Sequence, residues 1–116
     1  MNLIDIVQFC NLLTKSTASL NPAMLKLIAD TFENQCKLQN DKLAKTLSLM
    51  LNCYLKIAED KADERFIKFI LLQLVLKQEP LSLESCIRLV GALPLIKASS
   101  SQMQNMKRNI VEYVLT

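Results

Sequence analysis

The sequence predicts an all-α fold of about six antiparallel helices arranged as three hairpins. Three observations carry this. Apolar residues recur at helical spacing through nearly the whole chain. Among 116 residues there is one Gly and there are three Pro, too few for the tight turns of an all-β fold. Short polar stretches punctuate the apolar pattern at intervals that suit helices joined by brief connectors.

The first helix is expected over about Asn2–Lys15, with Leu3, Ile6, Val7, Cys10 and Leu13 on its inward stripe. Asn2 can cap it and Asp5 lies in its first turn. Ser16–Ser19 forms the break. The second helix opens at Leu20-Asn21-Pro22: Asn21 is a favoured N-cap, Pro22 suits the first helical position, and Leu20 can staple onto Leu25. Leu25, Ile28, Phe32 and Cys36 face inward, widened by Met24, Leu27 and Leu38, and Gln39-Asn40 closes the helix. A third helix from near Asn40-Asp41 to Ala58 carries the series Leu43, Leu47, Met50, Leu51, Tyr54 and Ala58, widened by Leu49, Leu55 and Ile57. Residues 59–64 are the most polar stretch and read as an exposed turn.

The fourth helix, over 63–78, contains the most apolar run in the chain, FIKFILLQLVL from Phe66 to Leu76. A buried strand is the competing reading. The helix formers, Asp63 and Glu64 at the start, Lys77 at the end and the Gln78-Glu79-Pro80 stop favour a helix. Phe66, Ile67, Phe69, Ile70, Leu71, Leu74 and Leu76 spread over roughly 200° of its surface, so it needs neighbours on about three sides. The fifth helix is capped by Ser82, with Glu84 in its first turn and Leu81 placed to staple onto Cys86; Cys86, Ile87, Val90 and Leu93 are expected inward. Gly91 lowers helix propensity, and Pro94 kinks or ends the helix. A sixth helix follows Ala98–Ser101. Ser99 with Gln102 or Ser101 with Gln104 has capping-box spacing, and Met103, Met106, Ile110 and Val114 point inward.

Composition narrows the function. The length suits one domain spanning 1–116, and 51% hydrophobic residues can supply its core. The formal charge of +3 is evenly mixed, as on an ordinary solvated surface, which speaks against nucleic-acid binding. No signal peptide or membrane-length apolar run is read in the sequence, so the expectation is a soluble, intracellular protein, cytoplasmic or nuclear. Cys10, Cys36, Cys53 and Cys86 are separated by 26, 17 and 33 residues and sit in apolar helical patterns. They read as buried thiols rather than disulfides or zinc ligands.

The chain contains no His to serve as a base for a cysteine nucleophile, and no Gly-rich phosphate loop. Its acidic residues fall in helix first turns and connectors, where capping explains them. The expectation is therefore no enzyme, no cofactor and no metal site. Protein interaction remains. Leu12, Leu27, Leu49, Leu55, Leu72, Val75, Leu89 and Leu95 lie beside or off the inward stripes, leaving more apolar surface than the core requires.

Odd-numbered helices begin about every forty residues, as do even-numbered ones. In helix length and spacing the chain resembles HEAT/armadillo-type repeats, a short α-solenoid or a fragment of a longer one. A compact six-helix bundle similar to the death-fold signalling modules is the alternative. The solenoid resemblance implies a non-enzymatic scaffold or adaptor that binds a protein partner, or a second copy, along its second helices near 22–38, 63–78 and 99–115. Candidate partner-binding residues are Lys61, Glu64, Arg65, Lys68, Leu72 and Val75 on the fourth helix, and Lys107, Arg108 and Glu112 on the sixth. A third possibility is a weak basic nucleic-acid face at Lys97, Lys107 and Arg108.

Overall fold

Helical periodicity becomes six α-helices among the described residues: α1 (Leu3–Thr14), α2 (Pro22–Leu38), α3 (Leu43–Ala58), α4 (Glu64–Lys77), α5 (Leu83–Ala92) and α6 (Ser101–Leu115). The structure is a computed structural model that describes residues 3–15, 21–38, 43–58, 61–77, 80–97 and 100–115. The expected cap at Asn2, the third-helix start near Asn40-Asp41, the Leu20 staple, the Ser16–Ser19 break, the Gln39-Asn40 close, the Gln78-Glu79 stop and the Ser99 capping box lie outside those residues. So do the side chains of Leu38 and Leu43.

Several caps form as the sequence suggests. Asn21 Oδ1 accepts the Met24 N–H at 2.8 Å, and Ser82 Oγ accepts the Ser85 N–H at 3.2 Å. Asp63 stands just outside α4 rather than within it, and its carboxylate accepts the Arg65 N–H at 2.9 Å. At α6 the cap is Ser100, whose hydroxyl accepts the Met103 N–H at 3.2 Å, one residue before the expected Ser101 box. Pro94 ends α5 and leaves a 3₁₀ turn over Leu93–Leu95.

Helices pair along the chain, α1 with α2, α3 with α4 and α5 with α6. The odd helices form one layer in the order α1–α3–α5, with α3 packed on both neighbours. In the other layer α4 packs on α6, and Phe32 of α2 meets Phe66 of α4 edge to face, ring centroids 5.9 Å apart. Tyr54 of α3 closes this ring contact between the layers, its centroid 4.6 Å from that of Phe66. The radius of gyration of 13.2 Å is that of a closed globular domain of this size, about 13 Å.

The inward faces expected for α1, α2, α3 and α6 are the ones that pack. Leu3, Ile6, Val7, Cys10, Leu25, Ile28, Phe32, Cys36, Leu47, Met50, Leu51, Tyr54, Ala58, Met103 and Ile110 are buried, while Leu13, Met106 and Val114 are partly so. Leu55, expected off the stripe, is also buried. Met24 and Leu27 of α2 are exposed, because α2 lies at the edge of its layer and covers only one flank. Phe66, Ile67, Ile70, Leu71 and Leu74 of α4 are buried, but Leu76 is exposed and continues the outward row of Lys68 and Leu72.

Helix α5 differs most. Its packed row is Ser85, Leu89 and Ala92, at i, i+4 and i+7. Ile87 and Val90, expected inward, are 63% and 57% exposed, and Leu83 is 78% exposed. Cys86 and Leu93 are half-buried. The small Ser85 and Ala92 side chains flank Leu89 and let α5 lie close against α3. The opposite, more apolar row is thereby turned outward.

Candidate docking groove

The outer face of the odd-helix layer carries two adjoining cavities. On α3, Lys45, Leu49, Asn52 and Lys56 recur at i, i+4, i+7 and i+11, so they run along one side of the helix. Their row lies away from the buried Leu47, Met50, Leu51 and Tyr54. Helix α1 borders the row on one side and α5 on the other.

Two cavities open along it and meet at Leu49. The first, about 290 Å³, lies between α1 and α3 and is lined by Ile4, Val7, Gln8, Lys45, Thr46 and Leu49. The second, about 440 Å³, lies where α1, α3 and α5 converge. Asn11, Thr14, Leu49, Asn52, Cys53, Lys56, Ile87, Arg88 and Gly91 line it. The Asn52 amide donates to the Arg88 carbonyl at 3.2 Å and fixes α5 against α3. One guanidinium nitrogen of Arg88, Nη2, pairs with Glu84 one turn earlier. The other, Nη1, is buried without a hydrogen-bond partner.

None of the four cysteines is in a disulfide; Cys10, Cys36 and Cys53 are buried and Cys86 half-buried. Burial, with Cys53 nearby, pushes the Cys10 thiol up to about 12. Burial also raises the Cys53 thiol, and Lys56 and Arg88 pull it the other way. Both thiols are thus held protonated, whereas a nucleophilic cysteine needs a depressed pKa. Among the described residues, no group of three or more His, Cys, Asp or Glu side chains is placed to hold a metal ion. No described helix is long and apolar enough to cross a membrane.

The residues singled out from the sequence lie mainly on the other layer. Lys61 and Arg65 are exposed, Glu64 is half-buried, and Lys68 sits 3.9 Å from the Glu64 carboxylate. Lys68 Nζ also donates to Gln102 Oε1 at 3.2 Å, so the α4 stripe is joined to the first turn of α6. Leu72 is exposed and Val75 half-buried. On α6, Arg108 and Glu112 are exposed, but Lys107 donates to the Ile96 carbonyl at 3.2 Å and closes the turn before α6. That bond engages one of the three cations of the proposed basic face. Lys97 is exposed, and Tyr113 is half-buried.

Sequence reasoning passed over the Lys45–Leu49–Asn52–Lys56 row. Its spacing is plain in the sequence, but Leu49 reads there as an extension of the buried stripe. Only the positions of α1 and α5 turn the row into the floor of a groove. Comparison with protein families, with curated proteins and with solved structures finds no match to this chain.

Proposed function

We propose that this domain is a non-enzymatic scaffold that docks a protein partner on the exposed end face of α5 and the groove that adjoins it. The observation that carries this reading is the row Leu83–Ile87–Val90, which lies exposed opposite the row by which α5 packs on α3. Contiguous apolar surface of this kind marks interaction sites. Ile87 joins it to the groove along α3. The pairing of consecutive helices, with odd helices stacked in chain order, supports reading the chain as a short HEAT/armadillo-type array. In such an array the exposed α5 row is the end face on which a further helix, a partner or a second copy packs.

A photo-activatable phenylalanine analogue at Ile87 tests the proposal, with the same analogue at exposed Asn34 of α2 as control. Discrete protein adducts from position 87 and none from 34 are expected. Equal labelling at both positions, or none at 87, would overturn the reading. Light scattering of the adduct separates a second copy from a different protein. The α4 stripe is the other surface to check: if Arg65→Glu with Lys68→Glu leaves the adduct unchanged, that stripe is outside the docking face.

A further inference from the structure

We infer that the groove along α3 takes a protein segment bearing carboxylates on either side of a large apolar side chain. This rests on the docking reading above and names the chemistry of its partner. Every charged residue lining the two cavities is basic: Lys45 in one, Lys56 and Arg88 in the other. Among the described residues, neither Lys45 nor Lys56 forms an ion pair, and both are exposed. Glu84 is already committed to Arg88 Nη2. Lys56 and Arg88 lie close enough to Cys53 to oppose the burial-driven rise of its thiol.

Between the two lysines stands Leu49, shared by both cavities, with Ile4 and Val7 beside it. The eleven-residue separation of Lys45 and Lys56 places their Cα atoms about 16 Å apart along the helix. An occupant lying along α3 therefore meets a cation, an apolar floor and a second cation in succession. A small anion would use only one end and leave the Ile4–Leu49 cavity empty. A nucleic acid would find no aromatic side chain in either cavity on which to stack a base. The Asn11 amide at the second cavity adds a neutral donor for a carboxylate or a backbone carbonyl.

The experiment is a random peptide-display selection against the intact chain and against its Lys45→Glu, Lys56→Glu variant. Both lysines are exposed, and circular dichroism checks that the variant folds. Peptides enriched on the parent chain are expected to carry Asp or Glu on both sides of Leu, Ile, Phe or Met. They should bind the variant about tenfold or more weakly, and the variant should enrich Lys and Arg instead. Acidic peptides that bind both proteins equally would overturn the groove assignment while leaving docking elsewhere intact. Failure to enrich any peptide would overturn the inference, while the docking reading stands or falls by the crosslink at position 87. Oligothymidine that binds the parent and not the variant, with no peptide enriched, would assign the groove to nucleic acid and overturn the inference.

Discussion

The phenolic oxygen of Tyr54 accepts the backbone N–H of Asp63 at 2.8 Å, so the last part of α3 satisfies a donor at the start of α4. The same ring stands edge-on to Phe66, which stands edge-on to Phe32. One side chain thereby sets the α3–α4 pairing and ties it to α2. Tyr54→Phe keeps the ring and removes the acceptor. It is expected to cost about 1–2 kcal/mol, and Tyr54→Ala about 3–5 kcal/mol. Urea denaturation monitored by circular dichroism measures both; no loss in Tyr54→Phe would show that the hydroxyl contributes nothing, and equal losses would show that the ring contributes nothing.

Gly91 lies in the last turn of α5, where a Cβ would meet only Asn52 Nδ2 at an ordinary 3.7 Å. Nothing in the neighbouring helix requires glycine. Gly91→Ala should therefore stabilise the domain by about 0.5–1 kcal/mol through helix propensity. A lower denaturation midpoint would mean that the α3–α5 contact is tighter than this distance indicates.

The register of α5 separates two neighbouring apolar residues. Leu89 is 0% exposed in the packed row, so Leu89→Ala should cost about 2–5 kcal/mol. Ile87 lies in the outward row, so Ile87→Gln should stay within about 0.5 kcal/mol of the parent. Reversal of that order would restore the inward face expected from the sequence.

Cys10 makes stability fall at high pH. Its folded pKa of about 12 lies above the ordinary thiol value of 9.0. The native state therefore holds its proton more tightly than the unfolded chain. This contribution is fully present below pH 9 and is lost as pH rises through 12. The loss attributable to this thiol amounts to at most about 4 kcal/mol. Comparing the pH dependence of denaturation midpoints for the parent and Cys10→Ala isolates it: the parent should fall more steeply above pH 9. In the native state the thiol should also resist alkylation at pH 8, reacting at the rate of global or local opening.

Most of the helical framework is legible in the residues. Asn21-Pro22 and Ser82 announce helix starts because a side-chain oxygen two or three residues before an unpaired N–H is a purely local arrangement. Pro94 announces an end for an equally local reason, its missing N–H. The core faces of α1, α2 and α3 follow from stripes with a distinct polar side. Three contacts that set the helices against one another are not local. Asn52 to Arg88, Lys68 to Gln102 and Lys107 to Ile96 join different elements, and no spacing within one helix encodes them.

Helix α5 marks the boundary between the two kinds of information. The sequence by itself determines that it is a helix, where it starts and where it stops. It points to the wrong side for the core, because Leu83, Cys86, Ile87, Leu89, Val90 and Leu93 gather their apolar groups on one arc of about 160°, and only the Leu89 edge of that arc is packed. The tertiary structure decides in favour of Ser85–Leu89–Ala92, since small residues on either side of one leucine allow close packing against α3. The same packing turns Leu83, Ile87 and Val90 outward and assembles the groove over Lys45, Leu49 and Lys56. Capping and periodicity are properties of consecutive residues, whereas burial depends on which neighbours arrive and how closely they can approach.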